Sequence, residues 1–356
     1  MNKKIIINGE SFARNITGIE RVCIDTIHEL DKICKKDEIE LVIPKNVKYT
    51  PNLKNIKTTQ LDIEIKQFFK WVQIPFQKYV KQNKGISLDF ANDCPYFAPG
   101  IEYLHDIYCK LYPSDFTSKH DKKIRLFSCL MYRRIAKKAK IIIAVSEYTK
   151  KTIIDTYHIN PDRIKVIYNG LSKSYCAIEP DFTIFKKYPE LKEKEFFFTL
   201  GSLSIRKNLK WIAANAQKYP ENMYAISGKA LPDVVPKELE ILRSLKNVIF
   251  LGYLSDAEVK AVMMKCKAFI FPSYFEGFGL PPLEALSCGA PIIISNTTCL
   301  PEIYGKTAHY IDPDKPDINL NDVLKESVES PDLLLKTLTV ENSAKQLYEV
   351  IREFIN

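Results

Sequence analysis

Residues 271–302 read FPSYFEGFGLPPLEALSCGAPIIISNTTCLPE. The apolar run that ends in Phe271 predicts a buried strand over 268–271. Gly277 and Gly279 predict a sharp turn after it. Pro281 and Pro282 suit the first turn of a helix, predicted from about Pro282 to Ser287 with Glu284 inside it. Gly289 and Pro291 end that helix, and PIIIS opens another strand. A glycine turn ahead of a helix offers free backbone N–H groups and a favourable dipole to an anion. Glu276 and Glu284 flank this turn, and two carboxylates would repel an anion bound directly between them. They fit as hydroxyl acceptors on either side of a diphosphate, which is the outline of a sugar nucleotide. An ordinary strand–turn–helix with surface glutamates is the plain alternative.

Glu276 and Glu284, with Gly-Phe-Gly-Leu-Pro between them and Pro301-Glu302 after the next strand, resemble the donor-site motif of family 4 glycosyltransferases. The resemblance implies an α/β GT-B fold, two doubly wound Rossmann-like domains facing a central cleft. It also implies sugar transfer with retention of configuration, no required metal and no cofactor. Glu276 would hold sugar hydroxyls and Glu284 the ribose. Backbone N–H groups of Gly277, Phe278, Gly279 and Leu280 would meet the diphosphate.

Length and composition fit this outline. The 356 residues suit two domains, and 46% hydrophobic with 27% charged residues is the balance of a soluble globular protein. No apolar run reaches the length of a membrane-spanning helix, and the N-terminal apolar stretch is too short for a signal peptide. Nine cysteines, without CxxC or metal spacing, read as free thiols of a reducing cytoplasm. The net charge of +9 is uneven. Residues 1–176 hold 31 Lys+Arg against 19 Asp+Glu, a balance of +12, and residues 177–356 hold 21 against 24, a balance of −3. The N-terminal half therefore expects an anionic partner: a membrane surface, a phosphorylated acceptor or nucleic acid. No RNP, zinc or helix-turn-helix pattern appears, which argues against nucleic acid.

Three domain segments are expected: 1–172 for the acceptor, 173–340 for the nucleotide sugar, and a C-terminal helix, 341–356, packing back on the first domain. A linker is expected over roughly 171–195. In the first domain, KIIIN is a strand, and Thr17 and Gly18 stand at the entry of the next helix as a second phosphate approach. The Thr-Gly-Ile-x-Arg pattern here resembles the family's first loop. Residues 66–84, aromatic and basic, predict an amphipathic helix broken at Pro75. ISLDFANDCPYFAP predicts a loop. His105 follows a short strand, at the sheet edge where α/β folds bind ligands. The resemblance places it against the transferred sugar, although a lone histidine is more often structural. Residues 121–140 predict a helix with eight Lys+Arg.

In the second domain Gly201 opens a loop that Arg206 and Lys207 close before a helix, a pair suited to a diphosphate. Many family members carry Arg directly after that glycine, where this chain has Ser202. Gly252, Tyr253 and Leu254 resemble the segment that reads the nucleobase, largely through backbone groups. The catalytic set is thus expected to be Glu276, His105, Arg206 and Lys207, with no metal. The expected partners are a hexose-type nucleotide sugar and a glycan or lipid-linked acceptor, in polysaccharide assembly. The expected location is the cytoplasm, with docking at an anionic inner membrane face. A sugar-nucleotide epimerase or phosphorylase of the same fold, a silent binding subunit, and a basic nucleic-acid-binding protein are the alternatives.

Overall fold

The structure is a computed structural model that describes residues 4–16, 18–201, 204–228 and 238–355. Thr17, Ser202 and Lys229 lie outside the described residues. The chain divides into two compact units, Met1–Gly170 with Leu338–Asn356, and Leu171–Thr337.

The first unit is built on a parallel sheet ordered β3-β2-β1-β4-β5-β6-β7. Its strands are β1 Ile5–Asn8, β2 Ile39–Ile43, β3 Lys57–Gln60, β4 Ile86–Asp89, β5 Ile101–Leu104, β6 Ile141–Ala144 and β7 Ile164–Val166. The second unit's sheet is also parallel, ordered β10-β9-β8-β11-β12-β13. It comprises β8 Phe196–Leu200, β9 Met223–Ser227, β10 Val248–Gly252, β11 Ala268–Phe271, β12 Ile292–Ser295 and β13 His309–Ile311. Runs such as IIIN, IIIA, AFIF and IIIS are buried along their whole length, as strands covered on both faces must be. In each sheet the chain winds outward one way and then the other. The reversal falls between β1 and β4 in the first sheet and between β8 and β11 in the second. Ligands of open α/β sheets bind beyond the strand carboxyl ends at such reversals.

The expected loop at ISLDFANDCPYFAP begins instead with β4, a central strand. Its polar residues disguised it. Ser87 and Asp89 are buried, and Ser87 Oγ donates to Glu102 Oε1 at 2.8 Å while Asn8 Nδ2 donates to Asp89 Oδ2 at 2.8 Å. The helical segment 68–82 is not broken at Pro75. Val72–Phe76 winds as a π turn between Phe68–Trp71 and Gln77–Gln82. The wider turn relieves the proline's missing N–H and its clash with the preceding turn. The expected linker is largely folded onto the second unit. Tyr175, Ile184, Phe185 and Leu191 are buried there, and Lys260 Nζ donates to the carbonyls of Cys176 and Ile178 at 2.8 and 2.7 Å. The predicted helix start at Pro282 moves to Leu280, with both prolines inside the first turn.

The final helix, Val340–Ile355, packs along the helix Gly18–Ile33. Ser343 Oγ donates to Tyr168 O at 2.6 Å and Tyr348 Oη to Glu38 Oε2 at 2.8 Å. At this junction Gly170 lies against the backbone of Leu338 and Thr339, and an added Cβ would come within 2.4 Å of Thr339 C. A backbone neighbour cannot rotate away, so Gly170→Ala should lower stability by on the order of 2 kcal/mol or more. Chemical unfolding of the purified variant measures this, and unchanged stability would show that the junction adjusts.

Candidate active site

The second unit's sheet reversal gathers the site. After β8, Gly201 adopts a φ of +147° and its N–H donates to Ser227 O at 3.1 Å. Ile205–Lys207 form a short turn that ends on Asn208, in the left-handed conformation that asparagine tolerates. Asn208 Nδ2 donates to Pro272 O at 3.0 Å and Pro313 O at 2.8 Å, and Tyr274 N donates to Arg206 O at 3.1 Å. These bonds staple the loop after β8 to the loop after β11. They deliver Arg206 and Lys207 to Glu276.

Lys207 Nζ lies 2.7 Å from Glu276 Oε1, and an Arg206 guanidinium nitrogen 3.7 Å from Oε2. Lys207 also sits over the Phe271 ring, 4.4 Å from its centroid. Glu276 is only 5% exposed. Burial opposes its ionisation, but Lys207 and then Arg206 outweigh burial and hold its pKa below the usual carboxylate value. The result is a fixed anion next to two cations, at the mouth of a glycine turn.

The turn itself is constrained by its surroundings. Gly279 has a φ of +87°, and an added Cβ would come within 2.8 Å of Leu300 Cδ2. Tyr304 Oη donates to its carbonyl. Gly279 caps the helix Leu280–Ser287, which carries Glu284 one turn in. Because Pro281 and Pro282 have no N–H, the donors at this helix mouth come from the turn and from Leu280. Phe278, inside the turn, is buried.

Residues 252–254, expected to read the base, lie on the same carboxyl edge. Gly228 N and Ser227 Oγ both donate to Gly252 O, at 3.0 and 2.9 Å. That commits both lone pairs of the carbonyl to the protein. Gly252 has a φ of +68° with open space around it, Leu254 is buried, and Tyr253 is 80% exposed.

Gly18 and His105 belong to the first unit. Gly18 opens its helix, and an added Cβ there would meet nothing within 4 Å. His105 directly follows β5 and is buried. Its Nε2 pairs with Phe90 O at 2.6 Å, so Nε2 carries the proton and Nδ1 is the acceptor of the neutral ring. Burial holds its pKa below the usual histidine value despite that bond.

Sequence reasoning did not find the staple residue Asn208, the Phe271 ring under Lys207, or the Leu300 and Tyr304 clamp on Gly279. An asparagine at a helix entry after Arg-Lys was the available signal for the first. It also missed a buried polar cluster at the first sheet's reversal. There Arg14 pairs with Glu10 at 2.5 Å and Glu20 at 3.7 Å, and Trp71 Nε1 donates to Asn8 Oδ1 at 2.8 Å. Burial raises the pKa of Glu10 and Asp89 above the usual carboxylate values, and brings Asp93 up to about 7.

Residues 181–351 match the family model described as "Glycosyl transferases group 1", and residues 98–174 match the one described as "Glycosyltransferase Family 4". Among solved structures, Anabaena HepE in complex with UDP and glucose superposes with a TM-score of 0.70 at 18% identity, covering 98% of this chain and 99% of that one. The two parallel-sheet Rossmann-like units are thus those of a GT-B glycosyltransferase fold. The chain thus carries the domains of group 1 and family 4 glycosyltransferases. The O-antigen chain mannosyltransferase B of Escherichia coli is 30% identical over 188 residues, 50% of this chain and 49% of that protein. The O-antigen chain mannosyltransferase RfbU of Salmonella typhimurium is 29% identical over 215 residues, 59% of this chain and 56% of that one. The chain spans about half the length of these two curated relatives.

The first unit's cluster has a pH signature. An acid whose pKa is raised on folding binds its proton more tightly in the folded state, so stability falls as pH rises between the unfolded and folded values. For Asp93 that window runs from its usual 3.8 to about 7. Asp93→Asn should flatten the loss of stability between pH 4 and pH 7. Urea midpoints at both ends of the window measure it, and an unaltered slope would remove Asp93 from the account.

Proposed function

We propose that this protein is a retaining glycosyltransferase of polysaccharide assembly. It moves a hexosyl group from a nucleoside diphosphate sugar to a glycan, free or carried on a lipid. The observation that carries this reading is Glu276, buried and ionised between Lys207 and Arg206 beside the Gly277–Leu280 turn. Similarity to the two O-antigen mannosyltransferases makes a mannosyl donor the first to test. The positive first half of the chain suits an anionic membrane surface when the acceptor is lipid-linked.

In the reaction, the bond between the anomeric carbon and the diphosphate oxygen breaks. The acceptor oxygen bonds to the same face of that carbon, and its proton passes to the departing phosphate. No metal is needed in this scheme. Negative charge grows on the diphosphate as the bond breaks, and Arg206 and Lys207 stand where they neutralise it. Gly201 and the backbone N–H groups of Gly277, Phe278, Gly279 and Leu280 complete the phosphate approach on the second unit. Glu276 turns from Lys207 toward the sugar hydroxyls, and Glu284 accepts from the ribose. On the first unit, His105 is neutral with Nδ1 as acceptor, the form that can receive a hydroxyl proton. Gly252 O is already committed, so the base is met by the exposed Tyr253 ring and the backbone beyond it, with Leu254 fixed beneath.

Two variants test separate parts. Glu276→Gln should slow transfer about a hundredfold, through loss of a charged hydrogen bond, while nucleoside diphosphate still binds. Nucleotide release from a panel of sugar nucleotides, with and without acceptor glycans, measures it. Turnover equal to the unaltered protein would overturn the assignment, and release without any acceptor would favour the epimerase. Tyr253→Ala should weaken nucleoside diphosphate binding about tenfold by loss of base stacking. Titration with GDP, UDP, dTDP and ADP reads this, and an unchanged dissociation constant for the preferred nucleotide would leave recognition of the base to the backbone.

A further inference from the structure

Two helical segments of the first unit run side by side on its outside. Phe69 and Phe127 meet with ring centroids 5.7 Å apart, and Gln73 Nε2 lies 3.8 Å from Met131 Sδ. The two contacts advance by four residues on both segments, so 68–82 and the helix Lys119–Lys138 run parallel. For parallel right-handed helices, the residue just after the contact on one and just before it on the other turn to the same flank. Those residues are Lys70 and Ile74 on the first segment and Leu126 and Leu130 on the second.

The flank is apolar and exposed. Ile74 is 62% exposed, Leu126 71% and Leu130 47%. The inward faces of both segments are accounted for separately: Trp71, Val72, Phe76 and Val80 pack with Ile6 and Val42, and Met131, Tyr132 and Ile135 with Leu104 and Ile142. The exposed apolar side chains are therefore not part of the domain core. Phe97, 66% exposed, is held beside the first segment by its N–H bond to Gln77 Oε1 at 2.7 Å.

The charges carried by these two stretches have one sign, and the nearby Asp93 carboxylate is turned inward to Gln73 Nε2 at 3.2 Å and Cys94 N at 2.7 Å. Residues 65–88 contain no Asp or Glu, and neither do residues 122–146. Over the same two stretches stand Lys66, Lys70 and Lys81 on one segment and Lys123, Arg133 and Lys137 on the other, all exposed. Lys70 lies over the Phe69 ring at 5.9 Å and Lys81 over the Phe97 ring at 5.0 Å. Asp121, at the start of the second helix, is turned inward to its Ser118 cap. Long cationic side chains lying along apolar groups can keep their heads at a charged interface while the apolar groups enter it.

We infer that this paired-helix face, centred on Ile74, Leu126 and Leu130, docks on the surface of an anionic lipid bilayer. Among the described residues no helix is long and apolar enough to cross a membrane, and the proposed docking is interfacial. A protein partner with an acidic face would satisfy the charges, but exposed cations on both segments beside exposed apolar side chains favour an extended anionic surface into which apolar groups can enter. The inference rests on the face alone and does not require the donor-site assignments.

The experiment is co-sedimentation of the whole protein with vesicles of phosphatidylcholine alone or mixed with phosphatidylglycerol, at low and high salt. Binding is expected on the anionic vesicles at low salt, with strong loss at 0.5 M salt, since about 1 kcal/mol per basic residue is screened within a few ångströms there. The variant Ile74→Ser with Leu126→Ser and Leu130→Ser removes exposed side chains only, and should reduce vesicle binding at least tenfold. Lys70→Glu with Lys123→Glu should reduce it similarly. Both variants should keep the nucleoside diphosphate affinity of the unaltered protein, which separates this result from any failure of the donor site. Absence of binding to anionic vesicles at low salt would overturn the inference. Undiminished binding by the serine variant would also overturn it, as would sedimentation showing that the same variant converts a dimer to a monomer.

Discussion

A carboxylate kept ionised inside the protein is the constraint on which the second unit depends. Glu276 has almost no access to water, and a buried charge of this kind survives only with close partners. Lys207 and Arg206 supply them, and each must be held in place. Asn208 does so by bonding to the carbonyls of Pro272 and Pro313, and Tyr274 by bonding to the carbonyl of Arg206. The Phe271 ring beneath Lys207 limits where its ammonium can go. The loops after β8 and β11 thus form one polar assembly, and the strand order puts them side by side at the sheet reversal.

The same construction explains why the glycine turn has little tolerance. Leu300 leaves no room for a Cβ at Gly279, and the positive φ would strain one in any case. Tyr304 holds the carbonyl of that residue from the other side. A turn gripped in this way presents its N–H groups in a fixed direction, and such pre-organisation is how a site stabilises charge that develops during a reaction.

Much of this was legible in the chain. Glu276, the two glycines, the prolines and the Arg-Lys pair stand in short motifs whose local chemistry is readable one residue at a time. The apolar strands were legible because parallel sheets bury both faces. What escaped was carried by pairing across long separations. β4 hid because Ser87 and Asp89 look like loop residues until Glu102 and Asn8 are seen to satisfy them. Asn208 escaped because its acceptors lie 64 and 105 positions away. Pro75 predicted a break, and only the geometry of the surrounding turn reveals a π-helical detour. Tyr253 was placed at the base segment, but its exposure and the commitment of the Gly252 carbonyl needed coordinates.

The return of the last helix to the first unit has a consequence for biosynthesis. Val340–Ile355 covers the helix Gly18–Ile33, and Gly170 is packed against the residues that lead into it. A chain emerging from a ribosome therefore finishes every part of the second unit, residues 171–337, while the first still lacks its closing element. Until then the part of Gly18–Ile33 that Val340–Ile355 covers stays open, and the first unit waits for those sixteen residues. Chaperone demand during synthesis should accordingly concentrate on the half that is translated first, the reverse of simple N-to-C order.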